Sequence, residues 1–250
     1  MSEELARVHR FQRDFNLRKA RRTIDVPGGV AVLNDRFQAS HDDNKLIIWA
    51  GDDPAAVVQA ADEAMAERGH RYVHVLDDEL GAAFAPAFTA AGYEHSPYLT
   101  MVYRGQAPTG VPAADELGLD EMISVLRANW RETLPGATDE EVEALALRIQ
   151  DRVRGAATVA FRGVRAPDGE VAARADLYVQ DDIAQIESVY TAERHRGKGH
   201  ARTLMESMLA EAAGAALIFL YTGTDNWARE FYARLGFEPL GRTHGFLRIE

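Results

Sequence analysis

Residues 196–201 read Arg-Gly-Lys-Gly-His-Ala, a bare basic turn set against the start of a helical pattern. A helix N-terminus presents unpaired backbone N–H groups and a partial positive charge, and glycines ahead of it let that backbone approach an anion closely. Arg196, Lys198 and Arg202 add formal charge at the same point. The chemistry this favours is the grip of a phosphate. Charge and glycines alone leave a second reading open, a solvated basic turn capping an ordinary helix. Two other phosphate motifs fail. A P-loop requires Lys-Ser/Thr after its second glycine, and here Gly199 is followed by His200 and Ala201. A dinucleotide fingerprint starting at Gly197 requires glycine where Arg202 stands.

The elements that must hold this turn can be read on either side of it. Helical patterns over 119–134 and 138–153 are separated by Pro135-Gly136. Three strand-like runs follow, AATVAFRGV, EVAARADLYV and IAQIESVYT, with Pro167-Asp168-Gly169 as the turn between the first two. After the basic turn, Ala201, Leu204, Met205, Met208, Leu209 and Ala212 recur at helical spacing, and Gly214 ends the run. ALIFLY (216–221) is apolar on both faces, as a buried central strand would be. A second helix carries Trp227, Phe231 and Leu235, with Trp227 read as core, and a last strand occupies roughly 243–249. The fold class is α/β with a mixed sheet.

In the third strand Ile186 and Val189 are three apart, so alternation fails at Glu187-Ser188. A bulge there would turn both apolar side chains inward; a plain strand with one polar residue facing in is the other reading.

Arg196-Gly197-Lys198-Gly199-His200-Ala201 fits R-x-x-G-x-A. It resembles the acyl-CoA pyrophosphate motif of the GNAT superfamily of N-acyltransferases. AQIESVYT upstream looks like that family's fourth strand, and AREFYARLGF downstream resembles its closing signature. The resemblance covers about 109–250. It implies a GNAT fold, acetyl-CoA as co-substrate, and direct transfer of an acetyl group to a primary amine. A cofactor set follows from it: the turn from Arg196 through Gly197, Lys198, Gly199, His200 and Ala201 to Arg202 on the diphosphate, and Val189, Tyr190 and Thr191 along the pantetheine arm. The family often has an asparagine seven residues before its tyrosine. Asp225 stands there and Asn226 one step later, and both are kept as cofactor contacts.

Tyr232 falls on the family's tyrosine, where a phenol can protonate the departing thiolate; a tyrosine packed beside Phe231 is the alternative. For the base, Glu187 at the bulge is the first candidate and Asp176 the second. His195, His200 and His244 read as surface residues without metal-ligand spacing, so no metal is expected. The chain has no cysteine, which excludes a cysteine acyl-enzyme.

QAPTGVPAA (106–114) reads as a linker between residues 1–105 and 115–250. Shifting the first part by 144 lays HRYVHVLDDELGAAFAPAFTAAGYE (70–94) over GAALIFLYTGTDNWAREFYARLGFE (214–238), pairing Leu76 with Leu220 and Gly92 with Gly236. A tandem of two GNAT-like halves follows. The counterpart of the basic turn is GDDPAA (51–56), where Asp52 and Asp53 would repel a diphosphate and Pro54 lacks an N–H. Phe88 replaces the tyrosine. The first half is therefore a degenerate unit, serving to pack against the second, wall a cleft or form a homodimer surface.

Net charge is −11, about −4 through residue 108 and −7 beyond it, so a nucleic-acid partner is not expected. No apolar run approaches the roughly 20 residues that span a bilayer, and the acidic start lacks signal character, so a cytoplasmic, membrane-free protein is expected. The partner would be a small-molecule or peptide amine. Two other function classes remain: a non-catalytic acyl-CoA-binding or sensing module, and a protein-interaction module.

Overall fold

The computed structural model describes all 250 residues, Met1–Glu250. They form two compact units that interleave along the chain. The first comprises Met1–Met101, Tyr221–Arg234 and Glu238–Glu250; the second comprises Val102–Leu220 and Leu235–Phe237. No helix is long and apolar enough to cross a membrane.

The first unit opens with α1 (Glu3–Lys19), whose N-cap Ser2 accepts from the Leu5 amide while Glu3 and Glu4 meet the positive end of the helix dipole. The hairpin β1 (Arg22–Val26) and β2 (Gly29–Leu33) leads to β3 (Lys45–Ile48), α2 (Pro54–Ala64), β4 (His70–Val75), α3 (Asp78–Ala90) and β5 (Glu94–Tyr103). β2 and β3 are antiparallel, β3 and β4 parallel. Period-2 alternation gives the sheet two apolar faces. Ala31, Leu33, Leu46 and Ile48 pack with Val57 and Ala61 of α2 and Phe84 and Phe88 of α3. Val30, Val32 and Ile47 point the other way, toward Leu17 at the end of α1.

The second unit runs β6 (Asp115–Glu116), α4 (Leu119–Thr133), α5 (Asp139–Leu147), α6 (Ile149–Arg152), β7 (Thr158–Arg165), β8 (Val171–Gln180), β9 (Ile183–Thr191), α7 (His200–Glu211) and β10 (Leu217–Gly223). α5 starts with a full capping box between Thr138 and Glu141, which ends the loop after Pro135-Gly136 sharply. Strands β6 to β9 are successively antiparallel, and β10 joins β9 in parallel. Phe161 of β7 packs beneath Met122, Ile123 and Leu126 of α4. One residue along, and so on the opposite face, Arg162 pairs with Glu211 of α7.

The chain then returns to the first unit through α8 (Trp227–Arg234) and β11 (Phe237–Ile249). β11 begins at Phe237, six residues before the expected start. It pairs antiparallel with β4 from His244↔Val75 to Ile249↔His70, so the last strand of the chain completes the N-terminal sheet. The order β3–α2–β4–α3 is repeated by β9–α7–β10–α8. Each repeat ends on a left-handed glycine, Gly92 at φ 85° and Gly236 at φ 99°.

Candidate active site

The basic turn of the second unit is built to leave amides open. Gly197 (φ 75°) and Gly199 (φ 87°) both take the left-handed conformation that a Cβ disfavours. Gly199 is the N-cap of α7 and offers no side-chain cap. Helical hydrogen bonding starts only at Arg202 and Thr203, whose amides both reach the Gly199 carbonyl. Residues 196–199 are exposed, and His200 and Ala201 are half-buried. Arg196 is steadied by its Nε donating to the Thr191 carbonyl at 3.2 Å. An exposed, uncapped helix N-terminus with Lys198 and Arg202 beside it suits a diphosphate.

β9 carries the expected bulge. Arg174 pairs with Tyr190 and Asp176 with Glu187, so Ser188 and Val189 together oppose Ala175. Ser188 sits at φ 56°, one of two non-glycine residues with a left-handed backbone. Ile186 is buried and Val189 half-buried. On its other edge the ladder between β9 and β10 covers Ile183, Ala184 and Gln185 and ends before the bulge. Backbone groups of Val189, Tyr190 and Thr191 thus lie beyond that ladder, just ahead of the turn.

The two acid candidates lie directly opposite each other in register and differ in environment. Asp176 is fully buried; its Oδ2 accepts from the Tyr178 hydroxyl at 2.6 Å and from Arg152 Nη1 at 3.1 Å. Burial, with the Asp176 charge second, raises the Tyr178 phenol well above its ordinary value, so it stays protonated and donates. A carboxylate enclosed in this way, held by an arginine and a phenol, is out of a substrate's reach. Glu187 is half-buried and receives a 2.6 Å hydrogen bond from Gln185 Nε2, which leaves it the accessible acid on this strand.

Several side chains that the sequence does not single out hold this strand. Arg152 Nη1 also reaches Ser188 Oγ at 3.2 Å. Arg174 Nη1 donates to the Ser188 carbonyl at 2.9 Å, while its Nε donates to Asn129 Oδ1 at 2.9 Å. Glu132 accepts from the Tyr190 hydroxyl and from the Glu193 amide, and the Tyr190 bond is the main cause holding its carboxyl below the usual range. One signal was visible: an arginine among alanines in the apolar strand VAARADLYV.

Three expectations need correction. His195 and His244 are buried, not surface residues. His195 sits in a short 3₁₀ turn, Glu193–His195, beside the β7–β8 connection, and His244 lies on β11, whose neighbouring residues 243–246 are all covered. His195 also has acidic neighbours, since its ring nitrogen and oxygens of Asp168 and Glu170 lie within 4.8 Å of one another. Arg194 pairs with Glu170 and donates to His195 Nε2, so the protein's own cation already serves that cluster. Trp227 is 75% exposed, not core. α8 has two adjacent apolar stripes, and burial falls on the one containing Tyr232, which is 140° around the helix from Trp227.

Tyr232 is buried in the first unit, its ring 5.4 Å from that of Phe231. Asn226 Oδ1 accepts from Thr222 Oγ1 at 3.1 Å and from the Arg229 amide at 3.2 Å, so this side chain caps the start of α8. Asp225 is exposed, at 3.3 Å from Thr224 Oγ1.

The N-terminal counterpart of the turn is closed. Asp53 caps α2 by accepting from the Ala55 and Ala56 amides at 3.0 and 3.1 Å, and Pro54 follows it. β3 and β4 stay paired to Ile48↔Val75, and the Leu76 amide still reaches the Ile48 carbonyl. Phe88 is fully buried.

Residues 119–237 match the model of the acetyltransferase (GNAT) family. A search of curated protein sequences found no match. Among solved structures, a functionally unknown conserved protein from Staphylococcus epidermidis aligns over 92% of this chain and 94% of its own, at TM-score 0.70 and 10% identity. A GCN5-related N-acetyltransferase from Kribbella flavida aligns over 98% and 95%, at TM-score 0.64 and 19% identity. A tandem GNAT protein from the clavulanic acid biosynthesis pathway aligns over 78% and 69%, at TM-score 0.55 and 18% identity. At these identities the structural likeness speaks for the fold alone. The C-terminal half of the chain belongs to the GNAT acetyltransferase family.

Proposed function

We propose that this protein is an N-acetyltransferase that moves an acetyl group from acetyl-CoA to a primary amine by direct attack. The observation that carries the reading is the uncapped N-terminus of α7, with Gly197 and Gly199 left-handed, following the bulge of β9 beyond its ladder with β10. Acetyl-CoA supplies the acyl group already activated as a thioester. The amides from Gly197 to Ala201, with Arg196, Lys198 and Arg202, hold its diphosphate. Main-chain groups of Val189, Tyr190 and Thr191 bind the pantetheine amides and orient the thioester carbonyl.

Glu187 accepts a proton from the acceptor ammonium, directly or through one water, so that the free amine attacks the carbonyl carbon. A carbon–nitrogen bond forms and the carbon–sulfur bond breaks. Tyr232 is assigned the proton that the departing thiolate takes up. The balance is one amide, one thiol and one proton released. With no cysteine in the chain, no acyl-cysteine intermediate intervenes. The acceptor is a small-molecule or peptide amine, and the N-terminal half contributes no second acyl-CoA site.

A thiol-release assay with acetyl-CoA and a panel of amines tests this reading. Turnover with at least one amine, slowed in Glu187→Gln, supports it. Tight CoA binding with no turnover on any amine would replace it with a non-catalytic acyl-CoA sensor.

A further inference from the structure

Ser188 holds a conformation that its own backbone disfavours. A left-handed φ of 56° in a non-glycine residue is unfavourable and persists only when its surroundings impose it. The bulge also lies beyond the end of the β9–β10 ladder, so that ladder does not impose it. Two arginine side chains do, one from α6 and one from β8. Arg152 at the end of α6 reaches Ser188 Oγ, and Arg174 reaches the Ser188 carbonyl. Each arginine is anchored behind the bulge, Arg152 on the fully buried Asp176 and Arg174 on Asn129 of α4. Glu132 of α4 ties down Tyr190 and Glu193 just beyond.

A buried arginine–aspartate pair is a costly device for stability alone, since apolar side chains of similar volume would fill the space at least as well. Here the charges are spent on one residue, gripped at its side chain and its carbonyl. We propose that Arg152 and Arg174 form a clamp that keeps Ser188 left-handed and thereby fixes the β9 edge that orients the acyl thioester. The clamp also ties α4 and α6 to that edge, so a displacement of these helices is passed to it. Arg152, Arg174, Asn129 and Asp176 are positioning residues: they touch neither the acyl group nor the acceptor. The inference rests on the functional reading above for its kinetic consequence, though not for the clamp itself.

Removing either arginine risks the fold, because Asp176 or Asn129 would be left buried without its partner. The test therefore uses the half-buried Ser188. Ser188→Ala keeps the backbone penalty and loses the Oγ grip; Ser188→Gly loses the grip and the penalty together. An ordinary strand residue tolerates alanine better than glycine. The clamp requires the reverse order. Ser188→Ala should lower kcat by about tenfold to a hundredfold through misplacement of the thioester, with a smaller, few-fold loss of CoA affinity, and Ser188→Gly should keep most of the activity. Deuterium exchange at the amides of 188–191 should rise in Ser188→Ala more than in Ser188→Gly. Arg174→Lys, which keeps a donor, should retain more kcat and show less exchange at 188–191 than Arg174→Met, both compared only with native circular dichroism verified; equal exchange in the two folded variants overturns the proposal. Alanine performing as well as glycine in exchange overturns the proposal. If the wild-type protein takes up no acetyl-CoA, the functional reading falls by itself and the exchange order still decides the clamp.

Discussion

His95 Nε2 and His244 Nδ1 lie 2.8 Å apart, two imidazole nitrogens that share a single proton. His244 Nε2 stands 2.9 Å from Asp78 Oδ1, and a carboxylate only accepts. The assignment that satisfies both contacts has His244 donating to Asp78 and His95 donating to His244. The chain Asp78–His244–His95 thereby links the first turn of α3 to β11 and β5 within the N-terminal unit. Its place in the unit is tight: a Cβ on Gly81 would meet the His244 ring at 2.4 Å.

That contact makes Gly81→Ala a sharp probe. The added methyl would force His244 out of line, and overpacking of this kind costs about 1–3 kcal/mol. The expected outcome is a lower urea midpoint with an unchanged m-value. A midpoint equal to wild type would show that the ring moves aside freely.

Acid should weaken the N-terminal unit. Burial is the main cause lowering His70 to about 4 and His74 to about 3, and it lowers His95 too, with the neighbouring His244 second. These folded-state values lie below the ordinary histidine value, so the unfolded chain takes up protons first as pH falls. Stability is whole above about pH 6.5. Below it, each of the His70 and His74 rings removes up to about 1.4 kcal/mol per pH unit, until pH reaches that ring's own folded value. Thermal unfolding between pH 7.5 and 5 checks this, and a flat Tm over that interval would contradict it.

Gly199→Ala should weaken CoA binding more than Lys198→Ala does. The first substitution puts a Cβ on a residue at φ 87° and distorts the amides themselves; the second removes one exposed charge. Calorimetry should find a loss of about tenfold or more for Gly199→Ala, insensitive to salt. For Lys198→Ala a loss of a few-fold, fading at high ionic strength, is expected. Equal losses would indicate that charge, not backbone shape, holds the diphosphate.

Tyr232→Phe should lower kcat by about a hundredfold while leaving the Kd for CoA within a factor of two. Full activity, with the fold intact, would return this buried tyrosine to a packing role.

CoA should bind with a stoichiometry of one per chain. Asp53→Ala removes the cap from α2 and should cost about 1 kcal/mol of stability without creating a second site, because Pro54 still withholds an amide. Two sites in that variant would mean that Asp53 alone closes the N-terminal turn.

Much of this was legible along the chain because it rests on local rules. The left-handed glycines, the helix after them and the break in alternation at Glu187-Ser188 depend on neighbours within a few residues. The stripe of α8 that turns inward does not. Trp227–Phe231 is the more apolar pair, yet Tyr232 of the other stripe is the residue buried, and only the surface beneath the helix selects between them. The burial of His195 and His244 is likewise invisible to a periodicity count, since one sits in a three-residue turn and the other on a strand covered on both faces.

By itself, the sequence determined the basic glycine turn, the strand–helix order that carries it, the replacement of that turn by GDDPAA in the first half, and the absence of any cysteine nucleophile. These are matters of residue type at fixed spacing. Only the tertiary structure decided that Asp176 is sealed beneath Arg152, that two arginines far apart in sequence meet on Ser188, and that β11 pairs with β4. Such contacts join residues from 14 to well over a hundred positions apart, where no pattern along the chain records which partner is met.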